Sequence, residues 1–111
     1  MKKTISLLVI FISFLSFASA QMTSTKSLKS AMDNNSVICI DARSAADYNK
    51  SHIKGAINID TETLCSGNKM KSVSTMASIF ASNGVSKNSA IVIYCKSGVR
   101  AGRMYFILKY M

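Results

Sequence analysis

Three short apolar runs alternate with segments of helical spacing along the chain. The runs are residues 37–40, 56–59 and 91–94. The first and third contain no polar residue at alternate positions, which is typical of strands covered on both faces of a sheet. Helical segments are predicted at residues 27–34, 45–50, 73–84 and 101–111. Strands separated by helical crossovers predict a parallel sheet, and therefore an α/β domain.

The two longer helical segments carry apolar residues at helical spacing. In the earlier segment these residues are Val73, Met76, Ala77 and Phe80, and in the later one Ala101, Met104, Leu108 and Met111. Gly84 is well placed to end the earlier helix. The run at residues 91–94 is expected to be a buried strand that leads directly into the last helix.

The first twenty residues have the three-part pattern of a secretory signal peptide. Lys2 and Lys3 provide a basic start, residues 5–17 are almost uninterruptedly apolar, and Ala18-Ser19-Ala20 fits a cleavage site. The alternative is an uncleaved membrane anchor, but a spanning helix needs about 20 apolar residues. We therefore expect residues 1–20 to be removed near Ala20, residues 21–111 to form one domain, and the product to be periplasmic or secreted. Contact with the membrane is then transient, through the signal peptide alone.

The charge balance is strongly basic. The chain of 111 residues carries 14 Lys and Arg against 5 Asp and Glu, a net charge of +9, and removal of the leader leaves 12 basic residues. Such a balance attracts anions. The lysines are scattered without a dense run, and no nucleic-acid motif accompanies them. Nucleic acid is therefore not expected as a partner.

The three cysteines are an odd number for an exported protein, so at least one is expected as a free thiol or in a bond to another chain. Cys39 lies inside an apolar run and is expected to pack as a small hydrophobe. Cys65 lies in a polar stretch where it can be exposed. No Cys/His spacing suggests a zinc site, and His52 is the single histidine, so no metal is expected.

The segment with the clearest chemistry is the loop at residues 95–100, which follows a strand and enters a helix. Cys95 is therefore expected at a helix N-terminus, where backbone N–H groups and the helix dipole favour an anion and lower the pKa of a thiol. The loop can wrap its N–H groups around a central anion, and Gly98 permits the backbone angles that this requires. Lys96 and Arg100 add positive charge, and Ser97 adds a hydroxyl. Asp41 ends the first strand and should open onto the same rim of the sheet as Cys95.

Two blocks of sequence resemble the rhodanese-like sulfurtransferases. The first is Ile40-Asp41-Ala42-Arg43, followed by Asp47-Tyr48 and by His52-Ile53-Lys54-Gly55-Ala56-Ile57-Asn58-Ile59. The second is Cys95-Lys96-Ser97-Gly98-Val99-Arg100-Ala101, which is similar to the family's C-x-x-G-x-R-[SA] active-site loop. The resemblance implies a rhodanese-like domain with a small parallel sheet flanked by helices.

The resemblance also implies a mechanism and roles for these residues. Cys95 is expected to take the outer sulfur of a donor such as thiosulfate, to carry it as a persulfide, and to release it to a thiol or cyanide-like acceptor without a cofactor. Lys96, Ser97, Gly98, Val99 and Arg100 are expected to bind the donor and the persulfide. Asp41 and Arg43 are expected to support the site through an ion pair or a capping role, and His52 is expected to be structural.

The sequence departs from the family pattern at three places. Ser51 replaces the usual glycine and Asp60 a common proline. Rhodanese domains usually continue with another strand, a Gly-Gly turn and a closing helix, whereas this sequence ends at Met111, so we expect those elements to be lacking. We therefore expect a fragment, a truncated gene product or a short member of the family.

Two other functions stay open at this stage. A phosphatase or arsenate reductase uses a similar cysteine loop, but one residue longer than the spacing from Cys95 to Arg100. A non-catalytic or decayed rhodanese-like module that binds sulfur species is the remaining alternative.

Overall fold

The computed structural model describes residues 24–111, which form an α/β arrangement of four α-helices and five short strands. The helices are α1 Thr25–Asp33, α2 Ala45–Lys50, α3 Val73–Ser82 and α4 Val99–Tyr110. The strands are β1 Ile38–Asp41, β2 Ile57–Asn58, β3 Cys65–Ser66, β4 Lys69–Met70 and β5 Ile91–Tyr94. A 3-10 helix spans Thr61–Leu64.

A three-stranded sheet has the order β2-β1-β5, with β1 in the centre. Strands β1 and β2 are parallel, and Asp41 pairs with Asn58. Strands β1 and β5 are joined by the bonds from Ile38 N–H to Ala90 O and from Ala42 N–H to Tyr94 O, both 2.9 Å. The partner residues advance together along both strands, which is the pattern of parallel strands. The predicted parallel sheet is therefore confirmed.

By internal packing the described chain forms two units, residues 24–39 with 86–92, and residues 40–85 with 93–111. In the first unit, Ser24 caps α1, since its hydroxyl accepts the Ser27 N–H at 3.0 Å, and the helix buries Leu28. The helix is followed by Asn35 in the left-handed region, with φ of 56°. The second unit contains all of the predicted site residues.

The core of the second unit is apolar and tightly covered. Four large side chains there have less than 2% exposure: Ile40, Leu64, Met76 and Met104. Central strand β1 is buried except at Ile38, since it has a neighbouring strand on each side. Residue Asp41, at its end, is a carboxylate with 0% exposure and therefore needs partners.

Serines cap the two α-helices of the second unit that precede the cysteine loop, α2 and α3. The hydroxyl of Ser44 accepts the Asp47 N–H, and that of Ser72 accepts the Thr75 N–H, both at 3.2 Å. Such caps satisfy one of the N–H groups that a helix N-terminus leaves without a partner. Helix α4 differs, because Gly98 at its N-cap position has no side chain to offer.

Three sequence expectations need correction. Strand β5 is half-buried rather than buried, because it lies at an edge of the three described strands. Met111 is 41% exposed, since it lies beyond the last turn of α4. The buried face of α4 consists of Met104 and Ile107. Ala77 is exposed as well, because α3 buries only Met76 and Phe80.

The structure adds a feature that the sequence pattern did not indicate. Strands β3 and β4 form an antiparallel hairpin in which Cys65 faces Met70, and Gly67 at its turn has φ of 63°. The hairpin strands are two residues long, which is too short for a periodic signal.

The predicted signal peptide lies outside the described residues. Within residues 24–111, no helix has both the length and the apolar character needed to cross a bilayer.

Replacement of Ile40 by alanine tests the importance of the central strand. Ile40 has 0% exposure, so Ile40→Ala should lower the free energy of unfolding by about 2–5 kcal/mol, through lost burial and the cavity that remains. The control Val73→Ala removes an exposed side chain of α3 and should change it by less than about 0.5 kcal/mol. Urea unfolding monitored by circular dichroism measures the free energy of unfolding of both variants. An equal decrease in the two variants would contradict this assignment of the core.

Candidate active site

Cys95 lies immediately after β5, and the chain folds back so that backbone N–H groups point at its sulfur. The Gly98 N–H donates to Cys95 Sγ at 3.0 Å and the Ala101 N–H donates at 3.4 Å. Helix α4 begins at Val99, so these donors belong to its N-cap and first turn. The predicted placement of Cys95 at a helix N-terminus is therefore observed.

The surroundings of Cys95 shift its pKa in two opposing directions. Burial raises the pKa of the thiol, whereas the N–H groups of Ala101, Gly98, Arg100 and Ser97 lower it. The hydrogen bonds prevail, and the net pKa of Cys95 is below its ordinary value. A larger fraction of the sulfur is therefore thiolate at neutral pH, and the thiolate is the nucleophilic form.

Gly98 makes the loop geometry possible. Its φ of 93° lies in the left-handed region, which residues with a Cβ rarely adopt. The side chains of Lys96, Ser97 and Val99 are exposed around it, and Val99 has 65% exposure. The loop thus contributes its backbone to the sulfur and leaves these three side chains in solvent.

Asp41 and Arg43 form a bidentate ion pair at the end of β1. Arg43 Nη2 donates to Asp41 Oδ2 at 2.7 Å, and Arg43 Nε donates to Oδ1 at 3.0 Å. The Arg43 backbone N–H also donates to Oδ1 at 2.9 Å. Burial raises the pKa of Asp41, but the bonds from Arg43 and from the Tyr94 hydroxyl outweigh it and keep the pKa low. The expected ion pair is present.

The ion pair is connected to the residue that precedes the cysteine. The Tyr94 hydroxyl donates to Asp41 Oδ2 at 2.9 Å, and Arg43 lies over the Tyr94 ring, 5.7 Å from its centroid. These contacts bring the ends of β1 and β5 together, as the parallel topology predicts. Asp41 itself is buried and reaches the neighbourhood of Cys95 through Tyr94.

A cavity of about 320 Å³ opens beside Cys95. It is lined by Arg43, Ser51, His52, Ile53, Tyr94, Cys95 and Lys96. The lining includes the positive side chains of Lys96 and of Arg43, whose charge the buried Asp41 carboxylate offsets, and it includes no carboxylate. The cavity therefore suits a small anion beside a nucleophilic sulfur.

Arg100 points away from this lining. Its Nη1 lies 3.8 Å from Asp60 Oδ1, with the two side chains 37% and 23% exposed. Its backbone carbonyl accepts a bond from the hydroxyl of buried Thr61 at 3.2 Å. Arg100 thus connects the cysteine loop to Asp60 and Thr61. The sequence pattern indicated neither residue as a partner of Arg100.

His52 lines the cavity while its ring is held by Tyr48. The two rings are stacked with centroids 3.6 Å apart, and His52 Nδ1 lies 2.7 Å from the Tyr48 carbonyl. A carbonyl only accepts, so Nδ1 carries the hydrogen. This arrangement agrees with the structural role expected for His52.

The other cysteines lie elsewhere, and no disulfide joins cysteines within residues 24–111. Cys39 has 1% exposure. Cys65 is half-buried and lines a separate cavity of about 760 Å³ with residues of the hairpin and α4. The described part of the chain contains no group of three or more side chains suited to hold a metal.

The pH dependence of alkylation tests the environment of Cys95. Because its pKa is lowered in the folded chain, the rate of reaction with iodoacetamide should reach half its maximum below the free-thiol pKa of about 8.5. The measurement is peptide mass mapping of Cys95 over a pH series. The same chain in urea loses the N–H contacts, and its midpoint should rise to about 8.5. Identical midpoints in the two states would contradict the assignment.

Comparisons with known proteins agree with this geometry. Two relatives, both named 3-mercaptopyruvate sulfurtransferase and from Escherichia coli K12 and O157:H7, are 33% identical over 82 residues. The match covers 64% of this chain and 29% of each relative, so the chain spans less than a third of their length. The sequence profile of the Rhodanese-like domain matches residues 24–111. A parallel α/β fold, a cysteine loop of the rhodanese type and this match show that the chain belongs to the rhodanese-like domain family.

Proposed function

We propose that this chain is a sulfurtransferase that carries sulfane sulfur as a persulfide on Cys95. The observation that carries the proposal is the pair of N–H groups, from Gly98 and Ala101, that donate to Cys95 Sγ. They stabilise a negative charge on sulfur without a basic side chain. Sulfurtransferase relatives and membership of the family support the same reaction class.

In the proposed first step, the Cys95 thiolate attacks the outer sulfur of thiosulfate. A new S–S bond forms on Cys95, the S–S bond of thiosulfate breaks, and its electron pair leaves with sulfite. The charge of the persulfide then resides on the outer sulfur. The backbone N–H groups of Ser97, Gly98, Arg100 and Ala101 are close enough to take over its stabilisation, because they already lie around Sγ.

In the second step a nucleophilic acceptor, a thiolate or cyanide, attacks the outer sulfur of the persulfide. The acceptor leaves with that sulfur, and the electron pair of the broken S–S bond returns to Cys95 as thiolate. Charge and atoms balance in both steps, so the cycle needs neither a redox partner nor a cofactor. This is a ping-pong scheme with a covalent intermediate.

The side chains around the cavity favour an anionic donor. Lys96 and Arg43 line it, and the ion pair with Asp41 neutralises the charge of Arg43. Lys96 is therefore proposed as the side chain that attracts the donor, while Ser97, Gly98 and Arg100 contribute backbone N–H groups and Val99 forms the first residue of α4 beside them. Asp41 and Arg43 hold the site in shape.

Residues 1–20 support export, so the proposed location is the periplasm or the outside of the cell. The donor would then be a small sulfur anion of that compartment. The names of the relatives make 3-mercaptopyruvate the second donor to test beside thiosulfate. The spacing from Cys95 to Arg100 disfavours the phosphatase alternative, whose loop is longer.

Mass spectrometry of the intact protein tests the persulfide directly. Incubation with thiosulfate and then non-reducing analysis should show the gain of one sulfur atom, which cyanide then removes. Cys95→Ser should abolish the gain, because it removes the nucleophile. The matched variant Cys65→Ser should retain it, since Cys65 lies in the other cavity. If the folded protein without substitutions gains no sulfur, the result would contradict the proposal and favour a non-catalytic module.

Removal of the Lys96 charge tests the attraction of the donor. Lys96→Gln should raise KM for thiosulfate about fivefold, the equivalent of about 1 kcal/mol for one exposed charge, with a smaller change in kcat. The control Lys87→Gln removes an exposed lysine that does not line the cavity and should change neither. The difference between Lys96→Gln and the unmodified protein should shrink at high salt. A KM equal to that of the unmodified protein would contradict this role for Lys96.

A further inference from the structure

The hydroxyl of Tyr94 makes two hydrogen bonds, each to a different segment of the candidate site. It donates to Asp41 Oδ2 at 2.9 Å and accepts the Ile53 N–H at 3.0 Å. These partners are 53 and 41 residues away in sequence. A single oxygen atom therefore connects the end of β1, the segment Ser51–Ile53 and the residue directly before Cys95.

A second bond holds the same segment through the ion pair. Arg43 Nη2, already bound to Asp41, donates to the Ser51 carbonyl at 2.7 Å. Asp41 is the shared anchor, with 0% exposure. The Ser51–Ile53 segment is thus fixed at its first residue by Arg43 and at its last by Tyr94.

The fixed segment is one wall of the cavity that contains Cys95. Ser51, His52 and Ile53 all line that cavity, which has a volume of about 320 Å³. Between residues 51 and 56 the wall belongs to neither a helix nor a strand, so it lacks a ladder of backbone bonds to keep its position. Stacking and a hydrogen bond between His52 and Tyr48 hold this wall to α2, while Arg43 and Tyr94 bind it at Ser51 and Ile53. Of these contacts, the bond to Tyr94 is the one that joins the wall to the residue directly before Cys95.

We propose that Tyr94 is a positioning residue whose hydroxyl sets the width of the cavity, and so the size of the reagent that reaches Cys95. In the reaction proposed above, on which this part rests, that reagent is the sulfur donor. Thiosulfate is small, whereas an aromatic thiosulfonate is larger, so the two donors differ in how strongly they depend on the position of this wall. Tyr94 acts through the wall and takes no part in the transfer of sulfur.

Tyr94→Phe tests the role of the hydroxyl while it keeps the ring against Arg43. Activity is measured with thiosulfate and with benzenethiosulfonate, which leaves as a sulfinate when its outer sulfur is taken. The ratio of kcat/KM for the bulky donor to that for thiosulfate should rise about three- to tenfold, the range that the loss of the bond from the Ile53 N–H, the hydroxyl's one bond to the wall, gives. The change should appear mainly in KM, because the N–H groups that surround Cys95 are untouched.

Two further variants make the result specific. Arg43→Lys keeps a cation but cannot bridge Asp41 and the Ser51 carbonyl with a planar fork, so it should move the ratio in the same direction. The matched control Tyr110→Phe removes the hydroxyl of a tyrosine that is 66% exposed and does not line this cavity. It should leave the ratio unchanged. Thermal unfolding confirms that each variant is folded.

Alkylation provides a readout that does not require sulfur transfer. The rates of reaction of Cys95 with iodoacetamide and with the bulkier N-phenyl iodoacetamide are compared by peptide mapping. Tyr94→Phe should raise the rate with N-phenyl iodoacetamide relative to the rate with iodoacetamide. If this ratio shifts but the unmodified protein transfers no sulfur, the proposed function fails and the role of Tyr94 stands. If folded Tyr94→Phe keeps both ratios of the unmodified protein, the role of Tyr94 is overturned.

Discussion

The sulfur of Cys95 occupies the position of a helix cap. Every α-helix leaves N–H groups without partners at its N-terminus, and at α1, α2 and α3 a serine hydroxyl accepts one of them. Helix α4 starts after Gly98, which has no side chain, and the N–H groups of Gly98 and Ala101 turn to Cys95 Sγ instead. The same contacts complete the helix and favour the thiolate, so structure and reactivity depend on one interaction.

The remaining contacts of the site keep this interaction in place. The loop is held from behind by Thr61 and by the pairing of Arg100 with Asp60. At the carboxyl end of β1, buried Asp41 accepts hydrogen bonds from Arg43 and Tyr94. Because a buried carboxylate is costly without partners, removal of either partner affects more than one wall of the cavity.

The sequence predicted the features that depend on local pattern. The three strands of the parallel sheet, the four helices and the position of Cys95 follow from apolar runs, helical spacing and a loop that joins a strand to a helix. An ion pair or capping role for Asp41 and Arg43 was expected from the resemblance to the rhodanese-like family. Contacts between distant segments left no periodic signal. The bonds of Tyr94 to Ile53 and of Thr61 to Arg100 join residues 41 and 39 positions apart, and the half-buried state of β5 depends on its place at an edge.

The pH dependence of stability tests most directly whether the sulfur of Cys95 is an anionic cap. The pKa of Cys95 is lower in the folded chain than its ordinary value, so the unfolded chain binds the proton more tightly. The resulting stabilisation is present in full above the unfolded pKa of about 8.5 and is lost as pH falls through the folded pKa. Urea unfolding of the unmodified protein and of Cys95→Ser over this range gives the difference between their free energies of unfolding. The account predicts that this difference grows in favour of the unmodified protein as pH rises, and a difference that stays constant with pH would contradict it.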